Sequence, residues 1–515
     1  MPHTSRPGTD SAPPQFNVAI IGAGFSGIGT AIALDKAGIN DYVILEAGDG
    51  FGGVWHWNNY PGVAVDIPSF SYQFSFEQMP DWSRSYAPGR ELKAYAEHCA
   101  TKYGLRQRTR LRTRIDEIAW DTESSFWRIR CAEGQTLTAR HVVNGSGPLN
   151  VPKLPDIPGL VSFAGETMHT ARWDNTVSLA GKCIAVIGTG ASAIQVIPEV
   201  AKIASHLTVF QRTPIWCLPK PDFRLAGALK FAMRVPGIKP VLRAASQAFV
   251  EFTFPLAAQY ASTLPVLQSQ GSALGKAWLR RQVHDPELRR KLTPDYALGC
   301  KRPSFHNSYL ATYNRPNVHL ETAAITKVSA SGVHTSDGKL HEIDVLVLAT
   351  GFKVFDNEGS FRVRGADGTL WSDFFTRNRA QSYLGVSLPN FPNYFSISGP
   401  YAYNLSSFFT LIEAQSHHIV RCLKEAQRRG AVRVEISEEA NRRYFEDMMA
   451  KRHTQVFWRE SCASARSYYF DANGDVPYRR ASTPEIIWHS RRFPLSDYRF
   501  TAANIRSRRP KERIS

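Results

Sequence analysis

The sequence predicts an α/β fold with two Rossmann-like dinucleotide-binding domains and a helical insertion. Three observations carry this. A unit of apolar strand, glycine-rich turn, helix and second strand occurs twice, near residue 16 and again near residue 182. The stretch after the second unit, Phe223 to about Leu292, is helical in pattern with proline breaks. Alternating runs then return from Val328 to Leu348, with turns at Ser331-Gly332 and Asp337-Gly338.

In the first unit Phe16 to Ile21 reads as a buried strand. It runs into Gly22-Ala23-Gly24-Phe25-Ser26-Gly27 and a helix to about Ala37; the next strand, Tyr42 to Leu45, ends in Glu46. Gly22 permits the sharp turn, Gly24 lets the backbone approach a pyrophosphate, and Gly27 lets helix and strand pack closely. The helix start, with Phe25 and Ser26 in its first turn, offers N–H groups and positive dipole to that pyrophosphate. Glu46 is placed to accept hydrogen bonds from ribose hydroxyls.

In the second unit the strand Lys182 to Ile187 leads into Gly188, Thr189, Gly190, Ala191, Ser192 and Ala193. Ala193 stands in the place of the third glycine. A helix carrying Gln195 follows, then the strand Leu207 to Phe210. No carboxylate comes next; the residues are Gln211, Arg212 and Thr213. A carboxylate repels a 2′-phosphate, whereas an arginine fork pairs with one. The second site therefore reads as NADPH and the first, by elimination, as FAD. A solvated loop charge is the plain alternative for Arg212.

These units set the expected organisation. Residues 1–15 are a floppy lead-in. Residues 16–150 form the first part of an FAD-binding domain, with short strands from Arg112 to Val143 and Asn144-Gly145-Ser146-Gly147 closing toward the first site. Residues 151–221 hold a Pro-rich linker and the NADP-binding domain, which resumes at 301–352 after the insertion at 222–300. Residues 353–500 complete the FAD domain and the substrate cavity, with an amphipathic helix from Ser407 to Arg429. Residues 501–515 are a solvated basic tail containing Arg506, Arg508, Arg509, Lys511 and Arg513.

The 515 residues suit two or three interleaved domains. Lys and Arg outnumber Asp and Glu by 62 to 45, a net charge of +17, yet no nucleic-acid motif accompanies the excess. A weak attraction to acidic membrane surfaces stays open. The start lacks the apolar core of a signal peptide. The longest apolar stretch, Val241 to Leu267, is broken by Arg243, Glu251 and two prolines, so no integral membrane segment is expected. Seven scattered cysteines contain no Cys-x-x-Cys pair. That argues against a dithiol centre or a metal site and leads us to expect reduced thiols in a cytoplasmic protein. Oligomeric state is not legible.

Two further motifs narrow the field. Phe163, Gly165, His169 and Trp173 followed by Asp174 spell F-x-G-x-x-x-H-x-x-x-W-D just before the second unit. Gly52 to Asp66 reads G-G-V-W-H-W-N-N-Y-P-G-V-A-V-D. With Ala349-Thr350-Gly351-Phe352, these make the chain resemble the type I Baeyer–Villiger flavin monooxygenases over roughly Phe16 to Phe352. The resemblance implies FAD, NADPH and O2 as reactants. It implies conversion of a hydrophobic ketone to an ester or lactone through a C4a-peroxyflavin.

It also assigns residues. Arg302, in Gly299-Cys300-Lys301-Arg302-Pro303, would stabilise the anionic peroxide; arginine does not deliver a proton at usable pH. Asp66 would lie near the flavin and pair with Arg302. Lys301 would join Arg212 and Thr213 at the 2′-phosphate. Gly53, Val54, Trp55 and Tyr72 would flank the flavin, with Trp57 ranked behind them. His169 and Trp173 would couple the domains during coenzyme movement without doing chemistry. Each has a bland counterpart: a surface basic doublet for Lys301-Arg302, a helix N-cap for Asp66 before Ile67-Pro68, and core packing for the aromatics and the histidine.

The C-terminal third departs from the cyclohexanone-type members. Their Asn-Ile-Pro-Gly-Lys stretch and its tryptophan are missing, and the segments Ser461 to Gly474 and Ile487 to Phe493 resemble a more distant branch acting on aryl or long-chain ketones. Trp488 is a weak candidate for the missing tryptophan. Aromatic density from Tyr383 to Phe409 and Val456 to Phe470 reads either as an apolar substrate cavity or as core. Two other readings stand beside ketone oxygenation. One is N- or S-hydroxylation, which would tolerate loss of Arg302; the other is a non-oxygenating flavoprotein reductase or redox-sensing module.

Overall fold

A computed structural model describes residues 13–354 and 360–502. Most of the expected lead-in and the basic residues of the tail lie outside the described residues.

Strand β1 (Phe16–Ile21) has Val18, Ala19 and Ile20 fully buried. A strand covered on both faces needs such an unbroken apolar run. It leads through the glycine turn into α1 (Phe25–Lys36) and then β2 (Tyr42–Leu45), which lies parallel to it with Ile20 opposite Ile44. The turn tolerates nothing larger than glycine: a Cβ on Gly27 would sit 1.9 Å from the carbonyl oxygen of Gly22. Beyond β3 (Thr109–Arg110), an antiparallel meander of β4 (Ile115–Asp121), β5 (Phe126–Cys131) and β6 (Thr136–Asn144) returns the chain to the other side of β1.

The second sheet has five parallel strands in the order β10-β9-β8-β11-β7. They are β7 (Glu166–His169), β8 (Cys183–Ile187), β9 (His206–Phe210), β10 (Val318–Glu321) and β11 (Val345–Leu348). The helix α2 (Ala193–Val200) follows the second glycine turn. The histidine motif thus forms an edge strand, with His169 opposite Leu348.

The chain then returns to the first sheet. β12 (Arg362–Arg364) pairs with β4 and β13 (Tyr394–Ser396) with β6, completing eight strands. Helix α3 (Phe408–Arg429) packs along α1, with the Thr30 and Ser416 hydroxyls 3.2 Å apart. Between Gly227 and Leu292 the chain is mainly helical, with helices at Ile238–Glu251, Pro265–Gln282 and Pro286–Leu292. The last is capped by Asp285, whose carboxylate accepts from the Glu287 N–H.

One expectation and one alternative fail. Cys300 and Cys462 are joined by a disulfide across 162 residues of sequence, while the other five cysteines are free. No local spacing betrays a pair so far apart, which is why uniform reduced thiols were expected. Asp66 caps no helix, because residues 61–73 run as turns and bends; its carboxylate is engaged elsewhere. No helix among the described residues is long and apolar enough to cross a membrane.

Candidate active site

At the first glycine turn two backbones meet. Gly53 holds φ at +55°, and a Cβ there would lie 2.9 Å from Gly24 Cα. The floor is therefore bare peptide, and α1 begins at Gly24 with no side-chain cap. A surface of bare backbone with a helix start behind it fits a pyrophosphate. The Phe25 ring turns away into the core, 4.5 Å from that of Phe409, so only its backbone faces this floor. Ser26 is buried beside it. Glu46, 5% exposed, accepts from Ala23 N–H at 2.6 Å and Gly48 N–H at 2.7 Å. Each carboxylate oxygen keeps a further lone pair for a ribose hydroxyl. Val54 opens the short helix Val54–Trp57, from which the Trp55 indole N–H donates to Tyr72 Oη at 3.1 Å.

At the second turn α2 also starts without a side-chain cap at Ser192. Gly190 and Ala191 are exposed, and a Cβ on Gly190 would meet nothing within 4 Å. The Thr189 hydroxyl donates to Thr213 O at 2.8 Å, which ties the glycine loop to the Arg212-Thr213 turn. Burial, then the charges of Arg212 and Arg466, push Lys301 down to about 8 against the pull of Asp295. Two cations in one corner fit a dianionic phosphate. The Gln195 amide oxygen accepts from Tyr60 Oη at 3.0 Å and its amide nitrogen donates to Ala64 O at 2.9 Å. It clasps the Gly52–Asp66 loop to α2.

Between these turns Arg302 Nε donates to Asp66 Oδ2 at 2.5 Å. The side chains are 15% and 33% exposed, so the pair is not sealed in the core. The guanidinium carbon stands 4.7 Å from the centre of the Phe254 ring. Burial would weaken the charge of Arg302, but Asp66, Tyr403 and Tyr469 hold its pKa well above the ordinary value. Burial likewise opposes the Asp66 carboxylate, but Arg302, by charge and hydrogen bond, and Lys220 hold its pKa below the usual range. The result is a permanent cation with a fixed direction.

The aromatic segments are mostly core: Tyr383, Tyr394, Phe409, Phe457 and Tyr469 are buried, while Tyr403 is partly exposed, and the charge of Arg302 reaches both Tyr403 and Tyr469. Phe254 and Lys220 join this recess without any motif to mark them. Trp488 is 60% exposed, which removes support for it as the missing tryptophan.

His169 and Trp173 are 6% and 8% exposed, and Trp173 belongs to the core of the second sheet. His169 Nδ1 accepts from Ala171 N–H at 3.0 Å. Burial, then Arg172, push the imidazole down to about 4, so it is neutral at neutral pH. Arg172 places its guanidinium 4.8 Å from the Trp57 ring centre, so the two motifs touch.

Comparison with known proteins matches this geometry to a family. The pyridine nucleotide-disulphide oxidoreductase model matches residues 19–229. The chain is 35% identical over 487 residues to a Baeyer–Villiger monooxygenase of Streptomyces coelicolor, covering 94% of this chain and 92% of the relative. It is 36% identical over 509 residues to one from Pseudomonas aeruginosa, covering 96% and 94%. The chain belongs to the Baeyer–Villiger monooxygenase family. Among solved structures, OTEMO in complex with FAD and NADP superposes with a TM-score of 0.85 at 26% identity, covering 95% of this chain and all of that one. The closed form of cyclohexanone monooxygenase gives 0.84 at 29%, covering 95% and 99%. The α/β fold with two nucleotide-binding sheets is that of these Baeyer–Villiger enzymes.

Proposed function

We propose that this protein is an FAD- and NADPH-dependent Baeyer–Villiger monooxygenase that turns a hydrophobic ketone into an ester or lactone with one atom of O2. One observation carries the reading: a guanidinium fixed at 2.5 Å by a carboxylate, beneath the ring of Phe254 and still partly open to solvent. Bound FAD supplies the hydride acceptor for NADPH and the place where O2 is activated.

The chain's own residues do the rest. Arg302 holds positive charge where negative charge gathers on reacting oxygens, including the ketone oxygen as it becomes an alkoxide. It gives up no proton, so those oxygens stay nucleophilic. Asp66 aims the guanidinium. The Phe254 ring, 4.7 Å from the guanidinium carbon, shields one side of Arg302 from water, which strengthens that charge. Arg212, Lys301 and the Thr213 turn take the 2′-phosphate; Gly188, Thr189, Gly190, Ala191, Ser192 and Ala193 cradle the NADP pyrophosphate. Gly22, Gly24, Ser26, Gly27 and Gly53 do so for FAD, with Glu46 on its ribose and Trp55 and Tyr72 beside its ring. His169 and Trp173 hold the lobes in register while the coenzyme moves. We place the enzyme in the cytoplasm, where NADPH is regenerated.

The test is product analysis. Yellow holoenzyme is given NADPH, a panel of aryl and long-chain ketones, and labelled O2. An ester carrying one labelled oxygen is the expected result. Sulfoxides or hydroxylamines with no ester from any ketone would overturn the proposal in favour of N- or S-hydroxylation.

A further inference from the structure

The disulfide lies where the chemistry is. Cys300 stands two residues before Arg302, and Cys462 seven before Tyr469, a buried ring that the charge of Arg302 reaches. Both cysteines are buried, at 0% and 2% exposure. Arg302 itself sits in irregular chain between the helix Pro286–Leu292 and the two-residue strand Ser304–Phe305. Backbone hydrogen bonds alone fix such a segment weakly. Gly299, at φ +100°, packs its turn against Val456. Gln268 adds a second tether: it donates to Leu298 O at 3.2 Å and accepts from Arg459.

We propose that the Cys300–Cys462 bond is a redox-set positioning device that holds Arg302 in place and so governs how much NADPH ends as ester rather than as hydrogen peroxide. The inference rests on the reading of Arg302 given above. With the bond closed, the Arg302 segment and the Tyr469 segment move as one. With it open, Gln268 and packing are left to link them, and a guanidinium displaced by a fraction of an ångström serves reacting oxygens poorly. NADPH spent without ketone oxidation leaves as hydrogen peroxide, which is the oxidant the bond needs. Two thiols lose two electrons and two protons; the O–O bond breaks, the S–S bond forms, and two waters leave. Leakage in the reduced form thereby closes the bond that suppresses leakage.

The experiment uses FAD-loaded wild-type enzyme before and after dithiothreitol, and again after removal of the reductant and addition of hydrogen peroxide. Alkylation under denaturing conditions followed by intact mass counts free thiols: five of the seven cysteines with the bond closed, all seven with it open. Ester and hydrogen peroxide formed per NADPH are measured on the same samples. Reduction is expected to lower ester per NADPH roughly three- to tenfold, while NADPH oxidation changes by less than about twofold; peroxide treatment restores both. The variant C300S/C462S is expected to stay in the low-coupling state whatever the reductant. Seven free thiols before and after peroxide would overturn the proposal, as would an unchanged ester ratio in protein shown to be reduced. An Arg302→Ala variant that still makes ester would sink the reading of Arg302, yet the thiol count would still report the bond. Ester lost in that variant but insensitive to reduction in the wild type would sink only the present inference.

Discussion

Replacing Arg302 with alanine separates the two halves of the reaction. Arg302 pairs with Asp66 rather than with either glycine turn, so NADPH oxidation under air should persist. Ester formation should fall by about 10²–10³, the ~3–4 kcal/mol typical of losing one preorganised charge partner. Arg302→Lys should be intermediate, because an ammonium lacks the fork and can give up its proton. The fold pays as well. Removing one partner of a fully buried pair costs about 3–5 kcal/mol; here Asp66 is a third exposed, so solvent takes up part of that and roughly 1–3 kcal/mol remains. The pH dependence follows from Asp66. In the wild type its pKa is held below the usual carboxylate value, chiefly by Arg302 against burial. The pair therefore stabilises the fold above the unfolded carboxylate pKa and loses that contribution as pH falls through the lowered value. Without Arg302, burial dominates and raises the pKa, so the variant's penalty applies at neutral pH and fades on acidification. The gap in Tm between the two proteins should be widest at neutral pH and narrow toward pH 4. The assays are ester and hydrogen peroxide per NADPH, and thermal melts across pH. Ester made by Arg302→Ala at the wild-type rate, or a Tm gap that widens with acid, would refute the argument.

Other predictions concern the coenzyme corner and the packing. Burial, then the charge of Arg212, brings Lys301 down to about 8, and it must be charged to hold the phosphate, so KM for NADPH should rise above that pH and KM for NADH should not; parallel profiles would remove Lys301 from the site. Arg212→Ala should raise KM for NADPH by about 10- to 100-fold, the worth of a charged hydrogen bond, and leave NADH use alone. It should also move the Lys301 break to higher pH, since Arg212 helps to depress it. Gly27→Ala would drive a Cβ into the Gly22 carbonyl, so soluble protein should lose bound FAD and melt earlier, by at least about 1–3 kcal/mol of overpacking; an unchanged visible spectrum and Tm would contradict the packing argument. A double-mutant cycle of Arg172→Gln and Trp57→Leu on Tm should give a coupling of about 0.5–1 kcal/mol, and additivity would show that the two motifs do not interact.

What was legible in the sequence was local. The strand–glycine–helix units of both nucleotide sites, the meander from β4 to β6 and helix α3 each write their period into neighbouring residues, and the structure has them within a few positions. The Arg302–Asp66 pair was expected from the family resemblance, not from periodicity, and the two groups do meet across 236 residues. The rest was non-local. Phe254 looks like any apolar residue of a helix, and Tyr403 and Tyr469 look like two of many aromatics. Lys220 is one basic residue among 62. Only the third dimension selects them. The disulfide failed for the same reason, since its two halves share no motif. The clasp made by Gln195 was likewise invisible, since its partners Tyr60 and Ala64 lie more than 130 residues away in sequence.

That clasp explains why the Gly52–Asp66 motif is so long. Its start supplies Gly53 to the floor under the first glycine turn, and its Trp57 takes the guanidinium of Arg172 from the histidine motif. Its Tyr60 and Ala64 are held by Gln195 on the first helix of the second sheet, and its last residue grips Arg302. One loop thus touches the flavin floor, the coenzyme sheet and the cation in sequence. This loop is one direct link between the second sheet and Asp66. The neutral, buried His169 fits that picture: with its pKa near 4 it neither accepts nor gives a proton near pH 7, and its backbone fixes the edge strand from which Arg172 reaches the loop. On the proposed roles of His169 and Trp173, the coenzyme lobe and the aim of the guanidinium would be linked by packing rather than by proton transfer.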